Sequence, residues 1–153
     1  MKISRFKMVV FLLALFSGFT TIPGKTNAQM SKSELRDLLE LTAAASSFDK
    51  ICNLMLEGPT SNFYTNFSIL QEQYKLKLTE EDQDMLLSEA EDRIRSIART
   101  TSQDMRAFVD NFGCETPERE LFVSHYRDLA NAEPGEFLKR IMTQRRPAVG
   151  SNE

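Results

Sequence analysis

Two cysteines, one histidine, a short acidic run and a late basic cluster are the features of this 153-residue sequence whose types and spacing could do chemistry. Cys114 lies in "NFGCETPERELF" (111–122), at the joint between two apolar-periodic stretches, and Cys52 is the other cysteine. A thiol in that place could be a nucleophile, a metal ligand, a buried side chain or half of a disulfide. A redox pair is usually a close Cys-x-x-Cys within a βαβ unit, which this chain lacks. His125 is the single histidine, so a general base or a metal ligand would have to be His125, aided by acids brought from elsewhere. A helix-borne Glu-x-x-His motif needs a glutamate where the chain has Phe122. With Asp128 three residues on, His125 reads as a helix-surface pair.

The acidic run Glu80, Glu81, Asp82 and Asp84 lacks the glycine and terminal glutamate of a calcium loop. At the expected start of a helix it has a sufficient electrostatic reason to exist. No Gly-x-Ser-x-Gly elbow occurs, and the "GKT" at 24–26 is no phosphate loop because Phe19 stands where that loop needs a glycine. No catalytic residue, metal or cofactor is assigned from these features. An acid-dependent hydrolase is retained only as the lesser alternative.

The beginning of the chain determines which cysteine chemistry applies. Lys2, Arg5 and Lys7 precede the apolar run "MVVFLLALF" (8–16), then Pro23, Gly24 and "TNAQ". That is the layout of a secretory signal peptide, with cleavage expected after Ala28. A retained span needs about 20 apolar residues, and Ser17, Gly18, Thr20 and Thr21 dilute this one, so no stable membrane span is expected after cleavage. The reading is therefore export, to the periplasm of a Gram-negative bacterium or otherwise to the outside of the cell. In an oxidising compartment Cys52 and Cys114 are expected to pair. Removing 1–28 takes away four of the 19 basic residues and none of the 22 acidic ones, so the formal charge falls from -3 to -7. Such an acidic surface repels phosphate backbones and argues against a nucleic-acid partner.

The elements that must position these residues are helical throughout. Leu35, Leu38, Thr42, Ala45, Phe48, Cys52 and Met55 recur at steps of three and four, behind a Ser31/Glu34 capping box and ahead of Gly58-Pro59. Phe63, Phe67, Leu70 and Tyr74 mark a second helix. Thr79 with Asp82 suggests the cap of a long third one over 80–112, kinked or split near "RTTSQD" (99–104). Thr116-Pro117 suggests the start of a fourth, with Leu121, Phe122, Tyr126 and Leu129 on its apolar face; Pro134 suggests a last one. Glu89 with Arg93, and Glu91 with Arg95, are spaced as surface ion pairs. The expected fold is all-α: one compact bundle of four to six helices over 29–146, with a disordered tail at 147–153.

Two further sets bear on function. Met55, Phe63, Phe67, Met105, Phe108, Phe112 and Phe122 could line a pocket for an acyl chain or another apolar molecule, or could simply be core. Lys139, Arg140, Arg145 and Arg146 form a basic cluster able to dock on a membrane surface or an acidic partner, although bases near a helix C-terminus are also expected from the dipole. Asn66-Phe67-Ser68 is a glycosylation sequon, doubtful because Phe67 belongs to an apolar face. The leading expectation is a non-enzymatic module that binds another protein, as an adaptor or in a chaperone-like role. The alternative is a carrier of an apolar small molecule.

Overall fold

The computed structural model describes residues 29–143, and among them it contains five helices and no strand. They are α1 (Lys32–Cys52), α2 (Phe63–Glu81), α3 (Leu87–Phe112), α4 (Arg119–Asn131) and α5 (Pro134–Met142). The expectations for 1–28 and for the tail lie outside the described residues.

The capping box at the start of α1 is present. Glu34 N–H donates to Ser31 Oγ at 3.3 Å, and Ser31 N–H donates to Glu34 Oε2 at 2.7 Å. Two N–H groups that a helix start leaves orphaned are thus satisfied. The helix ends at Asn53, earlier than its periodicity suggests, because Asn53 turns left-handed at φ 51°. Asparagine is second only to glycine in that conformation.

Along α1, every residue from Leu41 to Ser46 is buried. That stretch, "LTAAAS", is built mainly from small side chains, so α2, α3 and α4 all pack against α1. Leu35, Leu39 and Phe48 add large apolar groups above and below it. Fully burying each of them stabilises the fold by about 1.5–3 kcal/mol. A single enlargement such as Ala45→Leu would force the neighbours apart at a cost of about 1–3 kcal/mol.

The second helix is longer than expected and the third shorter. Leu78 continues the buried series Phe63, Leu70, Tyr74, so α2 runs on to Glu81. Thr79 is not a cap: its hydroxyl donates back to the carbonyls of Lys75 and Leu76 inside the last turn of α2. α3 then starts at Leu87 and passes through 99–104 without a break. Its 26 residues span about 39 Å. Ala90, Ile94 and Met105 carry its buried face. The expected surface pairs rearrange, with Arg95 meeting Asp92 at 2.5 Å and Glu91 reaching Lys75 of α2 at 3.9 Å.

Those contacts define the topology. Lys32 of α1 pairs with Glu81 of α2, while Lys50 lies over the Tyr64 ring, so α1 and α2 are antiparallel. The short link 82–86 returns the chain along α2 as α3, placing Glu91 beside Lys75. α1 and α3 therefore run the same way, and their C-terminal ends meet. α4 crosses α1 and α2, and α5 packs on α2. Pro134 opens α5 as its sequence suggests, but α4 begins two residues beyond Pro117. The Thr116 hydroxyl is buried and makes no cap.

Candidate functional site

The parallel course of α1 and α3 brings Cys52, the last residue of α1, to Cys114, two residues past α3. Their sulfurs are 2.02 Å apart and their Cα atoms 5.8 Å apart, forming a disulfide. Both cysteines are partly exposed, so this bond lies at one end of the bundle rather than in its centre.

The chain beyond Cys52 is held by one buried acid. The Asp49 backbone carbonyl accepts the N–H groups of Asn53 and Leu54, and its carboxylate accepts Leu56 N–H at 3.0 Å. Between these anchors Leu54 and Leu56 turn inward against the core while Met55 turns out. Met55 is 77 % exposed, and its φ of 54° lies in the left-handed region. A residue with a Cβ pays about 1–2 kcal/mol for that conformation. On the α3 side of the disulfide, Phe112 is 61 % exposed. Met55 and Phe112 thus flank the cross-link as outward apolar side chains.

The other members of the apolar set pack inward. Phe63, Met105 and Phe122 are fully buried or nearly so, with Phe67 and Phe108 packed against the same core. Their rings touch aromatic neighbours: Phe63 stacks on Tyr126 at 3.9 Å, and Phe122 lies 5.0 Å from Phe48 and 6.2 Å from Phe108. Met55 does not join that group, and Phe112, though largely exposed, keeps its ring 5.1 Å from that of Phe108 at the edge of the group. Both occupy the right helical phase, but α1 stops before Met55 and the end of α3 leaves Phe112 uncovered.

His125 does not form a surface pair with Asp128. It faces the middle of α1, where its Nε2 lies 3.0 Å from Thr42 Oγ1. The Thr42 hydroxyl donates its one proton to the Leu38 carbonyl at 2.8 Å, so Nε2 must carry a hydrogen and donate to Thr42. This polarity is opposite to that of a histidine activating a hydroxyl nucleophile. Burial pushes the imidazole down to about pKa 4, leaving it neutral at pH 7.

Two other buried polar groups escaped the sequence reading. The Tyr126 hydroxyl donates to the Glu57 carboxylate, tying the 53–62 connection to α4. Burial, followed by this bond, raises its pKa above the usual tyrosine range. Asn66 is fully buried, and its amide donates to the carbonyls of Leu129 at 2.7 Å and Ala132 at 2.8 Å. Asn62 N–H meets Ala130 O at 2.9 Å beside it. The start of α2 therefore satisfies the carbonyls that the end of α4 leaves open. A sequon asparagine in this position offers no accessible nitrogen.

The acidic run closes α2 instead of opening α3. Glu80 pairs with Lys77 and Glu81 with Lys32, while Asp82 and Asp84 are exposed on the link. Lys139 and Arg140 are exposed on the last turn of α5; Arg145 and Arg146 lie outside the described residues. Among the described residues no three His, Cys, Asp or Glu side chains converge as a metal site. No described helix is long and apolar enough to cross a membrane. Compared with known protein families, curated proteins and solved structures, the chain matches none.

Proposed function

We propose that this is an exported, non-enzymatic protein that works by binding another protein, and that its contact surface is the disulfide end of the bundle. The observation that carries the reading is the outward placement of Met55 and Phe112 on either side of Cys52–Cys114. Exposed apolar groups cost solubility, and a left-handed methionine adds strain, so neither is explained by folding alone. The covalent link between the two helix ends supports the reading as well, since it limits the ordering cost of binding. Export is supported by the signal-like residues 1–28 and by a disulfide suited to an oxidising compartment.

A photoreactive phenylalanine analogue at position 112 tests this in the native compartment. The expected result is one adduct of discrete mass, lost on Met55→Asp and absent when the probe replaces Arg99 on the solvated face of α3. Equal labelling at 99 and 112, or none at either, would refute the surface. Met55→Gly separates strain from packing. Relief of the left-handed strain offsets the added chain entropy, so stability holds or rises by up to about 1 kcal/mol while the adduct weakens. The intact mass of the same material tests export, and should lack residues 1–28 and two further hydrogens.

A further inference from the structure

Five methionines lie among the described residues, and the fold sorts them by access. Met30, Met85 and Met105 are buried in the core, Met142 is 45 % exposed at the end of α5, and Met55 is the most open of the five. An exposed thioether is open to oxidants, whereas a buried one is reached only when its surroundings open.

Met55 is also held open. Leu54 and Leu56, on either side of it, pack against the core. Asp49 fixes both of their N–H groups, that of Leu54 through its backbone carbonyl and that of Leu56 through its carboxylate. With its neighbours pinned inward and its own φ at 54°, Met55 is kept on the outside of the turn. That backbone favours glycine or asparagine, so the local conformation does not call for methionine. What methionine brings is an apolar, polarisable sulfur.

We propose that Met55 is a reversible oxidation site, and that its sulfoxide switches off the contact at the disulfide end. The switch rests on the protein-binding reading above; the oxidation site does not. The oxidant is hydrogen peroxide. The sulfur lone pair attacks one peroxide oxygen, an S–O bond forms and the O–O bond breaks. The attacked oxygen passes its proton to the departing one, which leaves as water, so sulfur is oxidised and peroxide reduced. The product carries a polar oxygen that an apolar partner surface would have to desolvate. Phe112 and the Cys52–Cys114 bond are left unchanged, so the switch resides in one side chain. Dedicated reductases, one for each sulfoxide epimer, return the thioether.

Dilute hydrogen peroxide, applied to the folded mature chain with its disulfide intact and followed by peptide mass, tests the site. Met55 should gain one oxygen about tenfold or more faster than Met30, Met85 or Met105, with Met142 between them. After the peroxide is removed, the chain carrying the photoreactive analogue at position 112 is mixed with an extract of its native compartment. The adduct should fall about fivefold or more on oxidation. It should be unaffected by the same treatment in Met55→Leu, which keeps an apolar tip without an oxidisable sulfur. Oxidation of Met55 no faster than that of the buried methionines would overturn the site. An adduct equally strong before and after oxidation would overturn the switch and leave the contact surface standing, and loss of the adduct in peroxide-treated Met55→Leu would overturn the switch by placing the damage elsewhere. Absence of any adduct before peroxide would refute the contact surface and the switch together, while the oxidation rates still decide the site.

Discussion

His125 Nε2 donates to Thr42 Oγ1 across 3.0 Å, joining α4 to the helix that three others surround. The bond orients an imidazole whose ring is enclosed by the packing of α4 on α1. Burial, not a charged neighbour, keeps it neutral.

Acid stability follows from that neutrality. The folded pKa, about 4, lies below the ordinary 6.5, so the unfolded chain binds a proton first as the pH falls. The stability contributed is complete above about pH 6.5 and is lost progressively down to about pH 4. At pH 5 the expected loss from this residue is about 2 kcal/mol. Urea denaturation of the wild type and His125→Gln, each at pH 7.5 and 5.0, measures it. The variant should show a correspondingly smaller drop between the two pH values, whatever its stability at pH 7.5.

Asn66 should be irreplaceable for a reason unrelated to sugar. Asn66→Ala leaves two carbonyls at the end of α4 without their donor and should cost about 2–3 kcal/mol. Asn66→Asp should be worse at pH 7, because a buried carboxylate would then face two carbonyl oxygens. Denaturation midpoints order the three proteins. Secretion from a eukaryotic host provides an independent check: folded material should carry no glycan mass at this site.

Much of this was legible in the sequence, and the departures share physical causes. Helical periodicity identified much of the buried stripes of α1, α2 and α4 because three- and four-residue steps survive any tertiary arrangement. Helix ends were harder, since they depend on competition between neighbouring signals. Thr79 and Asp82 have the spacing of a cap, yet Leu78 extends the buried face of α2 past them, and burial outweighs a cap. Met55 and Phe112 have the phase of core residues, but phase says nothing about whether a partner helix reaches that far. Asn66, Asp49 and His125 were not legible as a network because their partners lie on other elements or beyond the helix end, where no periodicity links them.

The disulfide should contribute to stability more than any single hydrogen bond described here. It closes a separation of 62 residues, for which the chain-entropy relation gives about 4 kcal/mol. Cys52→Ala with Cys114→Ala should lower unfolding free energy by up to that amount while preserving helical circular dichroism in the absence of denaturant. Treating the wild type with a dithiol reductant should reproduce the loss. A stability unchanged by either route would show that the helix ends stay together without the bond.

The continuous burial of Leu41 to Ser46 also constrains how the molecule assembles. α1 precedes the other four described helices in the chain, yet it is the one against which α2, α3 and α4 are laid. As the polypeptide emerges, this helix must wait with its sides uncovered until each later segment arrives. The Cys52–Cys114 bond closes a ring of chain that contains α2 and α3, while α4 and α5 lie outside that ring.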